Sequence, residues 1–331
     1  MKGKHVAVVG ATGAVGREML AVLQKRRFPV REVTLLASAR SAGKRLRFGE
    51  ESLPVRELTL ESFGGIDIAL FSAGGARSRE FAPAAVEAGA VVIDNSSAFR
   101  MDPGVPLVVP EINPEAVRQH QGIIANPNCS TIAMVVPLYP LHRAFGVKRV
   151  VASTYQAASG AGAAAMAELV EETRAQLEER PFQREIFAQQ YAFNLFPHDS
   201  PLDDDGYCEE ELKMVRETHK IFGDASLAIH ATCIRVPVLR AHSEALNIEF
   251  SRDVSPEEAY RVLSEAPGVE IHEARDENRW ATPIDASGRD PVLVGRIRRD
   301  RSQPNTLDLW VVADQLLKGA ALNAVQIAEL L

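Results

Sequence analysis

The feature that most limits the fold is a short apolar run that leads through three glycines into an amphipathic helix pattern. HVAVVG (residues 5–10) predicts a buried β-strand, and the REMLAVLQKR after ATGAVG has the apolar spacing of a helix. The glycines are Gly10, Gly13 and Gly16. Glycine permits the tight turn, the approach of a pyrophosphate to the backbone, and close packing of helix on strand. The pattern predicts a dinucleotide-binding loop, with a purely structural turn as the alternative.

The end of the second predicted strand, EVTLLAS (residues 32–38), indicates which nicotinamide cofactor would bind. An NAD site usually places Asp or Glu near this point, where the acid binds the ribose 2′-hydroxyl. The sequence instead reads ASARSAGKR, which contains no acid and offers Ser38, Arg40, Ser41 and Lys44. Hydroxyls and a guanidinium suit a 2′-phosphate, so the sequence favours NADP over NAD. The alternative is a basic surface loop.

Two further apolar runs continue the alternation of strands and helices. Residues 66–75 and 90–100 are predicted to contain strands, with a helix around residues 77–88 between them. Such alternation predicts a doubly wound parallel sheet that binds ligands at the carboxyl ends of its strands. The side chains expected at those ends are Ser72, Asn95, Ser96 and Arg100. Arg100 is the only cation of its cluster, so it is either an anion ligand or an ordinary surface arginine.

The stretch NPNCST (residues 126–131) raises the question of whether Cys129 is a nucleophile. It precedes the apolar run IAMVVPLYPL, and Asn128, Ser130 and Thr131 are residue types that cap helix N-termini. A thiol at a helix start lies near the positive end of the helix dipole, which favours the thiolate. The alternative is a buried cysteine that acts only as a small apolar side chain.

The second half of the chain offers one residue that can work with such a cysteine. In the strand-rich segment 227–250, Arg235 and His242 flank an interruption at Pro237. A cysteine nucleophile commonly needs an imidazole as acid or base, although a structural histidine is the alternative. Cys233, inside the apolar run, is expected in the core, and Cys208 is expected to have no chemical role. A loop with His198 and the acidic run at 203–205 lacks metal-ligand spacing and is expected to be solvated.

Length, charge and cysteine content limit the class of protein. The 331 residues favour about two domains, and the net charge of −7 argues against a nucleic-acid partner. Three cysteines without regular spacing argue against a disulfide framework or a metal site and fit a reducing cytoplasm. No signal peptide and no membrane-spanning run are expected.

Several stretches together resemble the aspartate-semialdehyde dehydrogenase family from end to end and in its order. They are GATGAVGREML, SARSAGK, DNSSAFRMD, PEIN, NPNCST, QAASGAG, EELKM, RVPVLRAHSE and KGAALNAVQIAE. The expected fold is α/β, with a Rossmann-like doubly wound domain at residues 1–128 and an α+β catalytic and dimerisation domain at residues 129–312. The family pattern returns residues 313–331 to the first domain and implies a homodimer built through the second.

The resemblance also implies roles for individual side chains. Cys129 would be the catalytic cysteine, His242 the acid or base, and Gln156 an orienting amide. Arg235 would bind the substrate's carboxylate and Glu210 its amino group, while Arg100, Lys213 and Asn128 would bind phosphate. The nucleotide would contact the glycine loop, the turn after strand two and three later positions, through Gly10, Thr12, Gly13, Ala14, Val15, Gly16, Ser38, Arg40, Ser41, Ser72, Ser159, Gly160 and Gln315. Many members of the family have Asn where this chain has Gln315, which leaves that amide contact open.

The implied reaction explains why a cysteine is needed. Its thiolate would attack the aldehyde of aspartate β-semialdehyde, and oxidation with NADP would leave a thioester that phosphate cleaves to β-aspartyl phosphate. In the cell the resemblance implies the reverse direction, towards lysine, threonine and methionine. The nearest alternative enzyme is N-acetylglutamyl-phosphate reductase, whose reaction also passes through a thioester. A non-catalytic NADP-binding relative is the alternative from another class, and the intact set of reactive residues argues against it.

Overall fold

The computed structural model describes residues 3–331, which form two compact units. One unit contains residues 3–128 together with Ala320–Leu331, and the other contains Cys129–Gly319. Across residues 3–331, no helix combines the length and the apolar character that crossing a bilayer requires.

The first unit alternates strands and helices as the sequence predicted. Up to residue 128 its elements are β1 (Lys4–Val9), α1 (Ala14–Lys25), β2 (Val30–Ala37), β3 (Arg45–Phe48), β4 (Glu51–Glu57), β5 (Ile68–Phe71), α2 (Gly75–Glu87), β6 (Val91–Asp94) and β7 (Ile123–Ala125), with 3₁₀ turns at Ala39–Ser41, Leu60–Phe63 and Pro114–Gln119. The central strands β1 and β5 are buried almost throughout, which explains their continuous apolar sequence.

These strands form one sheet in the order β3-β4-β2-β1-β5-β6-β7. Neighbouring strands are parallel except for β3 and β4, which form an antiparallel hairpin at one edge. Because the chain winds outward from β1 in both directions, the prediction of a doubly wound sheet is confirmed. The edge hairpin was not predicted.

The second unit mixes strands and helices without regular alternation. Its elements are α3 (Cys129–Phe145), β8 (Val147–Gln156), α4 (Ala163–Leu177), β9 (Phe196–Pro197), α5 (Glu209–Phe222), β10 (Ala228–Arg235), β11 (His242–Phe250), α6 (Pro256–Ser264), β12 (Val269–Ile271), β13 (Glu273–Ala274), β14 (Arg279–Trp280), α7 (Pro283–Ala286), β15 (Val292–Arg299) and β16 (Thr306–Ala313), with 3₁₀ turns at Ala158–Ala161 and Arg275–Glu277. The prediction of an α+β second domain is confirmed.

Most of these strands form a mixed sheet in the order β12-β15-β16-β11-β8-β10-β9. From Val150 along β8 and from Glu244 along β11, buried residues alternate with half-buried ones, because α3 packs against one face of these strands. The other face carries Tyr155 and Trp310, whose rings lie 5.7 Å apart. The central strand β8 is parallel to β10 and antiparallel to β11, an arrangement that positions the candidate site.

The end of the chain is more buried than an amphipathic helix would be. A π-helical turn at Leu317–Ala321 leads into α8 (Leu322–Ala328), in which every residue except Gln326 is buried. Within the first unit, the Asn323 side chain donates hydrogen bonds to the carbonyl of Val108 at 3.0 Å and to Oδ1 of Asn126 at 2.7 Å. The helix α8 is therefore buried on nearly all sides, and the one polar side chain that it buries, Asn323, is hydrogen-bonded.

Candidate active site

Three strand ends bring together reactive residues that are far apart in sequence. Gln156 ends β8 and is the register partner of Arg235, which ends the parallel strand β10. β11 runs antiparallel to β8, so its first residue, His242, lies at the same edge of the sheet. All three side chains are buried, at 1%, 6% and 1% exposure respectively. One end of these three strands therefore brings together an amide, a guanidinium and an imidazole.

The hydrogen bonds of His242 determine its tautomer. Its Nδ1 accepts the main-chain N–H of Ala157 at 2.9 Å, so in the neutral ring the proton is on Nε2. Burial, together with the nearby Arg235 cation, lowers the pKa of His242 to about 3. Within residues 3–331 no hydrogen-bond partner reaches the buried Nε2. The imidazole therefore offers an N–H to an incoming oxygen atom.

Gln156 connects the two helices that begin at the site. Its Nε2 donates to Oγ of Ser130 at 3.0 Å and to Oε1 of Glu210 at 3.1 Å. Ser130 follows Cys129 in the first turn of α3, and Glu210 lies in the first turn of α5. The main-chain carbonyl of Gln156 also accepts the hydroxyl of Tyr191 at 3.3 Å. The Gln156 amide is thus fixed between the first turn of α3, which begins at Cys129, and the first turn of α5.

The first two turns of α5 place opposite charges side by side. Nζ of Lys213 lies 3.0 Å from Oε1 of Glu209 and 3.6 Å from Oε2 of Glu210. The i, i+3 and i, i+4 spacings on a helix bring these side chains onto one face. Lys213 retains 22% side-chain exposure, so its ammonium group remains accessible to an anion.

Arg235 contacts Phe187 and also Asp199, which lies in the loop that was expected to be solvated. Its Nε lies 3.3 Å from Oδ1 of Asp199, and its guanidinium carbon lies 5.6 Å from the centre of the Phe187 ring. The neighbouring His198 side chain is only 9% exposed, and burial together with the Arg235 cation lowers its pKa. The prediction of a solvated loop is therefore wrong for His198, although it holds for the exposed residues 203–205.

Sequence reasoning missed His198 and Asp199 because the element that brings them in is very short. β9 has two residues and pairs with β10 through Phe196 and Arg235. A two-residue strand has no periodicity that a sequence can reveal. The available signal was the apolar pair at 195–196 just ahead of the polar loop.

Within residues 3–331 no group of three or more His, Cys, Asp or Glu side chains is arranged to hold a metal ion.

Cys129 differs from the other two cysteines in its surroundings. It begins α3 and is partly exposed, whereas Cys208 and Cys233 are buried. Burial raises the pKa of both the Cys208 and the Cys233 thiols, which keeps them protonated. The main chain of Gly319 packs so closely that a Cβ on it would lie 2.8 Å from Cβ of Cys129.

Two conformational requirements define the glycine loop of the first unit. Gly10 has φ +86°, and a Cβ on it would lie 2.2 Å from the carbonyl oxygen of Ser72. A Cβ on Gly16 would lie 2.4 Å from the carbonyl oxygen of Gly10. The helix that follows has no acidic residue in its first turn, which leaves its positive end open to an anion. Ala14 and Val15, the first two residues of this helix, are half-buried.

The turn after β2 lies next to this loop. The Thr12 hydroxyl donates to Oγ of Ser41 at 3.3 Å, and Gly13 ends the loop as the N-cap of α1. Arg40 is exposed, and Ser38 is half-buried at the carboxyl end of β2. The loop and the turn therefore present main-chain amides, hydroxyls and one guanidinium.

Arg100 is an internal residue rather than a surface one. It is 7% exposed, with Nε donating to the carbonyl of Asn126 at 2.9 Å and Nη2 to the carbonyl of Asn95 at 2.7 Å. Asn128, expected to bind phosphate, is also buried. The reading of Arg100 as an ordinary surface arginine is wrong.

Comparison with known proteins identifies the family. A family model described as the NAD-binding domain of semialdehyde dehydrogenases matches residues 5–120, and one described as their dimerisation domain matches residues 138–318. The chain is 58% identical to the aspartate-semialdehyde dehydrogenase of Synechocystis over 327 residues, covering 99% of this chain and 97% of the relative. The chain belongs to the aspartate-semialdehyde dehydrogenase family.

Solved structures of aspartate-semialdehyde dehydrogenases share the fold. Enzyme II of Vibrio cholerae, described as complexed with ASA, matches with a TM-score of 0.97 and 48% identity, covering 100% of this chain and 98% of that one. A more distant member from Candida albicans, described as bound to NADP, matches with a TM-score of 0.76 and 25% identity over 99% and 98% of the two chains.

Proposed function

We propose that this protein catalyses the reversible, phosphate-dependent oxidation of aspartate β-semialdehyde to β-aspartyl phosphate with NADP as the oxidant. The observation that carries the proposal is the network at the sheet edge, in which Gln156 connects the start of the Cys129 helix to Glu210. Arg235 and His242 lie at the same edge. The family membership supports the substrate and the pathway, in which the reverse reaction leads towards lysine, threonine and methionine.

Cys129 is the nucleophile in this scheme. Its thiolate sulfur bonds to the aldehyde carbon, and the former carbonyl oxygen takes a negative charge that an N–H donor stabilises. The Nε2–H of His242 is the donor that the tautomer makes available. When NADP+ is bound, it accepts the hydride that leaves this carbon, so the carbon is oxidised to a thioester. A phosphate oxygen then bonds to the acyl carbon while the carbon–sulfur bond breaks and returns the thiolate.

The remaining charged residues match the groups of the substrate. The planar guanidinium of Arg235 suits the α-carboxylate, and the Glu210 carboxylate suits the α-ammonium group. We assign phosphate binding to Lys213, whose ammonium is accessible beside Glu210, and to Arg100 and Asn128 of the first unit. Gln156 holds the turn that carries the nucleophile.

The first unit suits NADP. Gly10 and Gly16 allow the tight turn and the close packing of helix on strand that dinucleotide sites require, and the start of α1 suits the pyrophosphate. No acid follows β2, and the Arg40 guanidinium at that point complements a 2′-phosphate. We include Ser38, Ser41 and Ser72 from this unit, and Ser159 and Gly160 from the other, among the cofactor contacts. NADP in the Candida albicans relative supports the same choice.

The protein is further proposed to act as a cytoplasmic homodimer. The half-buried sheet face that carries Tyr155 and Trp310 belongs to the segment that matches the dimerisation model. An aromatic face of this kind is typical of an interface between subunits.

A coupled assay tests the function directly. Purified protein is mixed with aspartate β-semialdehyde, NADP+ and inorganic phosphate, and NADPH is followed by its absorbance. We expect steady turnover that requires phosphate and that is much slower when N-acetylglutamate semialdehyde replaces the substrate. Turnover that is indifferent to phosphate, or a preference for the acetylated aldehyde, would contradict the assignment.

A further inference from the structure

Two carboxylates of α4 bind a segment, residues 185–192, that has no helix or strand of its own. Glu168 and Glu172 are four residues apart on the helix, so their side chains lie on one face. Oε2 of Glu168 accepts the main-chain N–H groups of residues 185 and 186 at 2.6 and 2.8 Å. Its Oε1 accepts the N–H of Phe187 at 3.0 Å. One carboxylate therefore binds the beginning of the segment.

The second carboxylate, Glu172, binds the end of the same segment. Its Oε2 accepts the N–H groups of Tyr191 and Ala192 at 2.8 and 2.9 Å, and its Oε1 lies 2.5 Å from Nε of Arg184. The Glu172 side chain is 1% exposed. A carboxylate is costly to bury unless it is paired and hydrogen-bonded, and here both of its oxygens are used. The segment is therefore tied to α4 at both ends.

The segment carries two buried aromatic rings that lie beside Arg235. The rings of Phe187 and Tyr191 meet edge to face, with centres 4.9 Å apart. The guanidinium carbon of Arg235 lies 5.6 Å from the centre of the Phe187 ring, within the range of a cation–π interaction. Both rings also pack against Phe196, the register partner of Arg235. The guanidinium therefore lies against an aromatic cluster whose main chain is bound by the two carboxylates of α4.

We infer that Glu168 and Glu172 are positioning residues for Arg235. The inference rests on the proposed function, because it takes Arg235 as the residue that binds the substrate's α-carboxylate. The two carboxylates hold the main chain of the segment, and the segment holds the Phe187 ring against the guanidinium. Loss of either carboxylate leaves main-chain N–H groups without their acceptor, so the segment shifts. The planar guanidinium then loses its alignment with the α-carboxylate.

Two aldehydes separate this role from a general loss of structure. 3-Aminopropanal is aspartate β-semialdehyde without the α-carboxylate, so its reaction makes no use of Arg235. Glu172→Ala should lower kcat/KM for aspartate β-semialdehyde about 5- to 30-fold, and that for 3-aminopropanal less than about twofold. Glu172→Gln keeps an oxygen that accepts both N–H groups, so it should stay within about threefold of the wild type with either aldehyde. The side chain of Arg184 is 29% exposed, so solvent replaces its ion pair in that variant.

A double variant tests whether Glu172 acts through the aromatic ring. Phe187→Leu keeps an apolar side chain but removes the ring face, so it should show the same selective loss. If the carboxylate acts through this ring, Glu172→Ala/Phe187→Leu should lose no more than about the larger of the two single losses. Glu171→Gln is the matched control, because this exposed neighbour pairs with Arg174 on the surface at 2.6 Å. Should Glu172→Ala fail to fold, Glu168→Ala, at a half-buried position, tests the same segment.

The guanidinium of Arg235 provides a readout that does not depend on turnover. In the ¹⁵N-edited spectrum of the wild type, the ring current of Phe187 should shift the Nε–H signal of Arg235. Glu172→Ala should move this signal towards its position in Phe187→Leu. Glu172→Gln should leave it where the wild type has it.

The outcomes distinguish this inference from the proposed function. Equal losses with the two aldehydes in Glu172→Ala, or no loss with either, would overturn the positioning role. Losses that add in the double variant, or an unmoved Arg235 signal, would overturn it as well. Absence of phosphate-dependent activity in the wild type would instead refute the proposed function, and the Arg235 signal would still decide whether the two carboxylates position the guanidinium.

Discussion

The main-chain N–H of Ala157 donates a hydrogen bond to Nδ1 of His242 at 2.9 Å. A protonated Nδ1 cannot accept this bond, so the surrounding chain selects the neutral ring with its proton on Nε2. The proposed reaction places a negative charge on the former carbonyl oxygen of the aldehyde. In the proposed reaction the imidazole therefore acts on the oxygen atom of the substrate as a hydrogen-bond donor.

The first prediction concerns the protonation of His242. Because burial and the Arg235 cation lower its pKa to about 3, its ring signals should not titrate between pH 5 and pH 8. The unfolded chain binds this proton below its ordinary pKa of 6.5, so the free energy of unfolding should fall as pH drops from there towards 3. An NMR titration, with the signal assigned through His242→Asn, provides the measurement. A midpoint near 6.5 for this ring would show the argument to be wrong.

The second prediction concerns Gly160, which lies against two residues of the site. A Cβ at this position would lie 3.1 Å from Cε1 and Nε2 of His242 and 3.4 Å from Nη1 of Arg235. Gly160→Ala should displace the imidazole by a few tenths of an ångström and lower kcat/KM about 10- to 100-fold. Gly64→Ala, where a Cβ meets nothing within 4 Å, is the matched control and should be neutral. Equal activity in both variants would exclude a close approach at the site.

The third prediction concerns Arg40 and the choice of cofactor. An ionic hydrogen bond contributes about 1.5–3 kcal/mol, so Arg40→Ala should raise the KM for NADP+ roughly 10- to 100-fold and leave NAD+ use almost unchanged. Arg47 in β3, which is exposed and donates to the carbonyl of Gly49 at 3.0 Å, provides the matched control. Equal loss with both cofactors in Arg40→Ala would mean that the guanidinium does not bind the 2′-phosphate.

Local patterns were enough to predict most of the first unit, because the signals for its strands and helices are short-range. The strand, glycine loop and helix at residues 4–25 follow one another in sequence, and each is recognisable from periodicity and glycine placement alone. Cys129 at the start of α3 was also predicted, since the capping residues and the apolar run lie next to it. The β3–β4 hairpin was missed because its short strands are mostly exposed and carry little apolar pattern.

The second unit was harder to predict because its site depends on strand pairing over long distances. Gln156, Arg235 and His242 meet only because β8 pairs with both β10 and β11, and no local pattern specifies that order. The position of His198 near Arg235 depends on the two-residue strand β9, which pairs with β10. The left-handed conformation of Ala241, next to His242, could not be predicted either, because alanine at this position does not indicate it.

The fourth prediction concerns Glu244, which follows His242 on the same face of β11. Its carboxyl group is fully buried, and neither oxygen has a hydrogen-bond partner in the part of the chain that the structure describes. Burial raises its pKa well above 4.5, so above this pH the unfolded chain loses a proton that the folded chain keeps. The free energy of unfolding should therefore fall as pH rises.

Glu244→Gln removes this titration. At pH 8 the variant should be more stable than the wild type by about 1–3 kcal/mol, and the difference should shrink towards pH 5. Urea unfolding at the two pH values measures it. A difference that does not change with pH would mean that the carboxyl group has an ordinary pKa in the folded protein.

Attachment of the acyl group to Cys129 is the step on which the proposed reaction depends. A single turnover without phosphate should stop at the thioester, because no acceptor is present to cleave it. Cys129→Ala should give no product, whereas Cys208→Ser, which changes a buried thiol away from the reaction, should behave as the wild type.

Rapid quenching followed by mass spectrometry makes this measurement. Wild-type protein mixed with NADP+ and aspartate β-semialdehyde, without phosphate, should form about one NADPH per active site together with about one acyl group on the peptide that contains Cys129. Later addition of phosphate should remove the acyl group. NADPH formed at the same rate without any covalent adduct, or an equal burst in Cys129→Ala, would contradict covalent catalysis at this residue.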